Sequence, residues 1–451
     1  MPSTDTCAGR PSIAHQRAVT SQYLCSSKEI LRPEIHCLLQ LLRTPVISGD
    51  LSWLPSIQQD WRPFAAACDN HQIASLIFCR VRDLRGDSIA AELLEHLRAR
   101  FYEISANNYR LAKKLVDLTS LLEAHHIPVL SYKGPAVAMS VYGELALRQY
   151  TDLDLVIRRE HILKAVGVMR RCGFETVPTL GRPQMIPRLF HPENPSHLAL
   201  AEEIPLCAPD KTYFVDLHWQ LGHGPWRAFS PDVEKMWDRA EKLDLPHGRV
   251  STFCSEDLFL ALCCHGSKHR WSHLKWLLDV AELLRKNETL DWSRIEEMIR
   301  IRPRARASAS LAILLAQELL NAPVPAEAAK IVPTTQRTIA EAAAIREEIL
   351  SQGQTSGNDY RTLLALEERP LARMKYRASR VLRYPGGVFS EVVLQVSPKD
   401  RAFIALPEKL KFLYHLIRPA RLVVKHGRRA FSALWNRVSL TYETGRSSSS
   451  T

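Results

Sequence analysis

Five positions in this 451-residue chain have the types and spacing to handle a metal-bound phosphate: Lys133, Gly134, Asp152, Asp154 and Asp216. Asp152 and Asp154 stand in Thr-Asp-Leu-Asp-Leu-Val-Ile, whose alternation predicts a strand. Residues two apart on a strand share a face, so both carboxylates point one way while Leu153 and Leu155 turn to the core. Two like charges side by side repel unless a cation lies between them. Mg²⁺ suits that position, because it takes hard oxygen ligands from one or two carboxylates and completes its shell with phosphate. Tyr213 to Trp219 predicts a second strand, with Asp216 and His218 on one face. Set beside the first strand, it brings three carboxylates to one spot, an arrangement that serves two-metal phosphoryl or nucleotidyl transfer. Taken alone, Asp-x-Asp also fits an ordinary strand end facing solvent.

The elements that must position these residues are legible nearby. The apolar run from Ile127 to Leu130 predicts a strand over 127–132, and Pro135 suits the first turn of a helix over 135–143. A strand that feeds a glycine and then a helix start presents free backbone N–H groups to phosphate. Gly134 lets the backbone approach closely, and Lys133 offers a point charge. A strand over 151–157, a helix over 160–171 ending at Gly173, and strands near Phe174, near 197–201 and over 212–219 complete a small mixed sheet. Five prolines between 178 and 196 mark a loop that can act as a lid.

The run Ile127 to Ala136, Val141-Tyr142-Gly143, Leu147-Arg148, Asp152 to Ile157, Cys172-Gly173-Phe174 and Val215 to Trp219 occur in that order. Together they resemble the uncharacterised nucleotidyltransferase family, a branch of the polymerase-β-like nucleotidyltransferase superfamily. The resemblance runs from about residue 30 to 320, is strongest over 120–220, and continues faintly to about 425. It implies an α+β fold: a small mixed-sheet core flanked by N-terminal and C-terminal helical regions. It also implies that Asp152 and Asp154 hold Mg²⁺ on the triphosphate of an NTP such as ATP, and that Asp216 completes a second metal site and helps deprotonate an acceptor hydroxyl. Mn²⁺ is an alternative ion. The acceptor is open to sugar, small molecule, peptide or RNA, since one fold hosts many functions. Where the wider superfamily has Gly-Ser in the phosphate loop, this chain has Lys133-Gly134.

Other charged residues divide between two readings. Arg148 pairs with phosphate or with the carboxylates, or else forms a structural ion pair. Lys268, His269 and Arg270 either reach the nucleotide phosphates or carry solvated charge, and Asp279 caps or pairs internally. His218 tunes Asp216 or packs in the core. Cys263 and Cys264 beside His265 and His269 read as buried thiols rather than a zinc site, because Gly266 stands where the zincin pattern needs Glu.

An apolar fraction of 46% with 24% charged residues is that of an ordinary globular protein. No 18-residue apolar stretch predicts a transmembrane helix, and residues 1–17 lack a signal-peptide core, so the expected location is cytoplasmic. The net charge of +12 is uneven: residues 401–451 hold ten Lys/Arg against two Glu, a net of +8. That segment fits an anionic partner or a peripheral contact with an anionic membrane surface, or simply a solvated basic face. The expected organisation is a disordered 1–27, a helical 28–125, a nucleotidyltransferase core over 126–220, a helical domain over 221–352, a basic helical extension over 353–445 and a disordered tail over 446–451. A catalytically silent scaffold, an antitoxin-like binding protein or a membrane-peripheral accessory of polysaccharide or peptide modification is the alternative to an enzyme.

Overall fold

The computed structural model describes residues 32–43, 60–82, 90–177, 202–222, 224–286, 290–332, 334–355, 359–383 and 407. The two terminal segments read as disordered, the proline-rich stretch 178–196, the strand expected near 197–201 and, apart from Pro407, the basic segment 401–451 all lie outside the described residues.

The fold is α+β. Seven strands form one mixed sheet: β1 (Val129–Tyr132), β2 (Asp152–Ile157), β3 (Glu175–Thr176), β4 (Glu203–Cys207), β5 (Phe214–His218), β6 (Glu241–Leu245) and β7 (Gly248–Thr252). Their order is β3-β4-β5-β2-β1-β7-β6. β2 and β5 run parallel, as do β1 and β7; the other neighbours are antiparallel.

Among the described residues four helices precede the sheet, α1 (Pro33–Arg43), α2 (Arg62–Asn70), α3 (Ala74–Val81) and α4 (Ala91–Ala124). Within it lie the single turn α5 (Gly134–Val137) and α6 (Ile162–Arg171). After it come α7 (Ser255–Lys268), α8 (Leu274–Arg285), α9 (Trp292–Ile301), α10 (Ala305–Leu320), α11 (Ala326–Ile331), α12 (Gln336–Gln352), α13 (Asp359–Leu366) and α14 (Pro370–Arg383). Among the described residues no helix is long and apolar enough to cross a membrane.

The pleat divides the sheet between two cores. Leu153, Leu155 and Ile157 of β2 and Val215 and Leu217 of β5 pack with Leu111, Leu115 and Leu122 of α4 and Ile162, Ala165 and Met169 of α6. Leu130, Tyr132 and Val156, on the opposite face, join the larger core formed by the helices. The 34-residue α4 is roughly 50 Å long and enters both cores: Leu93, Leu97 and Ile104 go to the helical body and Leu111 to Leu122 to the sheet. At the crossing, the fully buried Asn108 donates to the carbonyls of Leu145 (2.7 Å) and Arg148 (2.9 Å). One side chain thereby fixes the loop that leads into β2.

Two details differ from the sequence reading. The helix expected over 135–143 is one α turn followed by a π turn (Ala138–Tyr142) that ends at Gly143, φ +75°. The stretch 221–352, read as helical, contains the β6–β7 hairpin. Its Leu243, Leu245 and Val250 alternate with polar residues as a half-buried strand pair should. Gly248 is required there: its φ is +150°, and a Cβ would stand 2.8 Å from Cγ1 of Val116 on α4.

Candidate active site

Parallel pairing of β2 with β5 sets Asp154 directly beside Asp216. Asp152 lies one pleat earlier, opposite Phe214, and His218 lies opposite Val156 on one side and Glu203 of β4 on the other. All of these residues occupy the sheet face away from α4 and α6, because their immediate strand neighbours, Leu153, Leu155, Val215, Leu217 and Ile204, fill the other core. Donor atoms of Asp154, Asp216 and His218 fall within 4.8 Å of one another, a group of metal-ligand character.

Asp154 is the best satisfied of the acids. Its Oδ1 receives Lys133 Nζ at 2.8 Å and His218 Nε2 at 2.9 Å, and it is 4% exposed. The other nitrogen of His218 faces Glu203 Oε2 at 3.3 Å. Burial alone would raise the Asp154 pKa; Lys133 and His218 outweigh it and hold the carboxyl well below its usual range. Burial likewise opposes the charge on His218, but the bond to Asp154 and the charge of Glu203 raise its pKa. An imidazole between two carboxylates is stabilised as the cation, with both nitrogens donating. Burial also works against the Lys133 ammonium, and Asp154, Tyr132 and Asp152 more than restore it.

Asp216 and Asp152 are in a different condition. Neither carboxylate makes a hydrogen bond or ion pair with a described residue. Burial pushes Asp216 up to about 7; His218 pulls it down, while Asp154, Glu203 and Asp152 add to the push. Burial, then Asp154, raises Asp152 in the same sense.

Lys133 follows β1 with φ +60° and ψ −153°, a region that non-glycine residues rarely enter. Gly134 follows at φ +46°, where a Cβ would stand 3.5 Å from the Asp152 carbonyl oxygen. That turn aims Lys133 at Asp154 instead of letting it continue the strand.

Residues 58–321 match the family described as uncharacterised nucleotidyltransferase. This span covers more than half the chain and includes every group named above. The chain belongs to that family. No curated protein matches it. Among solved structures, an antigenic nucleotidyltransferase-like protein from Paracoccidioides brasiliensis is similar, at 16% identity and a TM-score of 0.26, covering 46% of this chain and 93% of that one.

In this nucleotidyltransferase family member the helices after the sheet supply the cationic side of the site. Lys268, in the last turn of α7, is largely buried and makes no hydrogen bond or ion pair with a described residue. Burial lowers its pKa and nearby Lys133 lowers it further; Glu203 and Asp154 pull the other way from beyond ion-pair reach. His265, one turn earlier, is held neutral by burial and by Lys133, His269 and Lys268. Its ring lies 4.7 Å from that of His269, and both pack on Trp276 of α8. Lys275 is buried against the Gln72 side chain and the Gln149 carbonyl; burial and Arg148 bring its pKa down to about 7.

Arg148 takes the structural alternative. Its Nε and Nη2 each bond Asp279 at 2.8 Å, and the Tyr142 hydroxyl donates to the same carboxylate at 2.9 Å. Asp279 thus pairs internally and caps nothing. Arg270 is turned away from the site, fully buried against Glu341, Glu348 and Thr362. Cys263 and Cys264 are buried thiols.

Sequence reasoning left out Glu203 and Lys275, and weighed His265 only as a zinc ligand. Glu203 had a signal: it precedes an alternating run, Ile204 to Cys207, just beyond the strand expected near 197–201. His265 had a positional signal as well, one helical turn from Lys268. Lys275 had none, since its neighbours Gln72 and Gln149 are far off in the chain.

Proposed function

We propose that this chain is a magnesium-dependent nucleotidyltransferase that moves an NMP from an NTP to an acceptor hydroxyl or phosphate and releases pyrophosphate. The observation that carries the reading is unmet charge of both signs side by side. The side chains of Asp152 and Asp216 make no ion pair with a described cation, although Lys133 and Lys275 act on Asp152 and His218 on Asp216 through space, and Lys268 makes none with a described anion. A metal–polyphosphate complex brings both charges in one ligand. Membership of a nucleotidyltransferase family supports the same reading.

The donor set fits Mg²⁺ or Mn²⁺. The available ligands are carboxylate oxygens of Asp152, Asp154 and Asp216, while the His218 nitrogens are already engaged by Asp154 and Glu203. These three aspartates would hold one or two ions, which when bound supply charge neutralisation at the triphosphate. Lys133 and Lys268 would seat the β- and γ-phosphates, with the backbone at Gly134 close to them. Asp216 would also help to deprotonate the acceptor hydroxyl. As that proton leaves, the acceptor oxygen bonds to the α-phosphorus and the bond to pyrophosphate breaks. Position and charge do the work.

The test is incubation with each of four labelled NTPs, Mg²⁺ and candidate acceptors, with pyrophosphate release and product mass as readouts. Asp216→Asn is expected to lower turnover by about a hundredfold or more. Asp152→Asn combined with Asp154→Asn is expected to abolish Mg²⁺-dependent nucleotide binding on calorimetry with the fold intact. Unchanged affinity in the double variant would sink the reading. A second reading rests on the Lys133–Asp154 ion pair, which closes the acid without a metal: a nucleotide-binding protein with no transfer activity. Tight Mg-NTP binding with no pyrophosphate release from any acceptor would favour it.

A further inference from the structure

We propose that Lys133 is a tethered cation that keeps divalent metal off Asp154 until a polyphosphate draws it away, so that the site takes metal and nucleotide as one complex. The inference rests on the nucleotidyltransferase reading and adds a rule for what the site will accept.

One oxygen of Asp154 holds two nitrogen donors, Lys133 Nζ at 2.8 Å and His218 Nε2 at 2.9 Å. A divalent ion arriving alone at that carboxylate meets an ammonium already in contact with it. Close like charges at a poorly solvated site repel strongly, so either the metal stays out or Lys133 must leave.

Only one of the two donors is built to leave. His218 sits on β5 between its two strand neighbours, 8% exposed, with its second nitrogen facing Glu203. Lys133 has a four-carbon stem and is 15% exposed at the open end of β1. Leaving costs Lys133 an ion pair, so it needs another anion to move to. Lys268 shows where that anion belongs, for it is a largely buried ammonium without a described ion-pair partner and lies in the charge field of Lys133. A polyphosphate between Lys133 and Lys268 relieves their repulsion and gives Lys133 a new partner. In moving, Lys133 exposes Asp154 to the metal that the polyphosphate carries. A metal ion without phosphate offers Lys133 nothing to move to.

The experiment measures Mn²⁺ binding in the absence of nucleotide, by electron paramagnetic resonance or calorimetry. Wild-type chain, Lys133→Met and Lys133→Met with Asp154→Asn are compared, thermal melts confirm folding, and Lys133→Gln replaces Lys133→Met should the latter not fold. Expected is Mn²⁺ affinity at least tenfold tighter in Lys133→Met than in wild type, with that gain gone in the double variant. A magnesium complex of a non-hydrolysable NTP analogue should bind Lys133→Met at least threefold more weakly than wild type. Equal or weaker Mn²⁺ binding in Lys133→Met overturns the gate, and so does the absence of Mn²⁺ binding in both chains, since removal of the tethered cation must open the site. If the wild-type chain binds the analogue while Mn²⁺ affinity is unmoved, the gate falls and the reading of function stands. If Mn²⁺ affinity rises but no chain binds the analogue, the nucleotidyl-transfer reading falls and takes the gate with it.

Discussion

Two charged clusters lie on the path from β2 to α8, and they are built in opposite ways. In the first, Arg148 and Asp279 are 3% and 0% exposed and share two bonds of 2.8 Å, and the Tyr142 hydroxyl completes the acid. Burial opposes the Arg148 charge and Asp279 more than compensates. Every strong group in it has a partner, so it fastens the loop before β2 to α8 and offers a ligand nothing. In the second, Asp154 is satisfied by Lys133 and His218, yet the side chains of Asp152, Asp216 and Lys268 make no ion pair with a described residue and feel opposite charge only through space. Closed networks hold elements together; open ones are completed by something from outside. The contrast separates Arg148 from Lys133 although both are buried cations near the same acids.

The largest effect should come from opening the closed cluster. Asp279→Asn removes the charge that Arg148 needs and leaves a guanidinium buried without compensation, at a cost of about 3–5 kcal/mol. Urea unfolding followed by circular dichroism measures it, and Arg148→Met is expected to cost a similar amount. A loss below about 1 kcal/mol for either would mean that water or another acid reaches this cluster, and the distinction between the two networks would fail.

A smaller effect follows from a neutral closed contact, and its sign depends on pH. His71 joins three elements: Nδ1 accepts from the Leu274 backbone N–H at 3.2 Å and Nε2 bonds the Gly353 carbonyl at 2.7 Å. Nδ1 can accept only when it carries no proton, and burial lowers the ring's pKa from 6.5 to about 4. Because the folded pKa lies below the unfolded one, the contribution is fully present above pH 6.5. It is lost as pH falls from there to about 4, amounting to at most about 3 kcal/mol. Comparing unfolding free energies at pH 7.5 and 5, His71→Gln should show a shallower acid loss than wild type. Parallel slopes would assign the acid sensitivity to other groups.

What could be read in advance divides along the same line. Lys133, Asp152, Asp154 and Asp216 sit on short strands whose alternation and turn residues are local, so the sheet and its acidic face were legible from spacing. The register that sets Asp154 opposite Asp216 is a long-range pairing that spacing permits but does not impose. Partners were the least legible. Asp279 lies 131 residues from Arg148, and no periodicity announces which of several phosphate-suited arginines will be consumed by the fold. The same holds for Arg270, taken by Glu341 and Glu348 on α12. The β6–β7 hairpin was missed for another reason. Only Leu243, Leu245 and Val250 mark its apolar face, too few to outweigh the helical sequence that follows.

The smallest effect has the opposite sign and is the sharpest check on the comparison. A buried carboxylate held against Asp154, Glu203 and Asp152, with His218 as its through-space relief and no described ion pair, is a burden on the fold, tolerated where a ligand relieves it. Asp216→Asn keeps the shape and removes the charge, so it should raise the unfolding free energy at pH 7.5 by about 0.5–2 kcal/mol, in the absence of metal and nucleotide, even as it removes activity. Lys268→Met should stabilise the chain by a similar amount, because it removes an ammonium that repels Lys133. Two substitutions of opposite charge would then stabilise the same site, which no simple change in net charge explains. Destabilisation by Asp216→Asn would show that the acid already has a partner in the empty protein. Asp216 would then belong with Asp279, among the groups that hold the fold together, and the open site would shrink to Asp152 and Lys268.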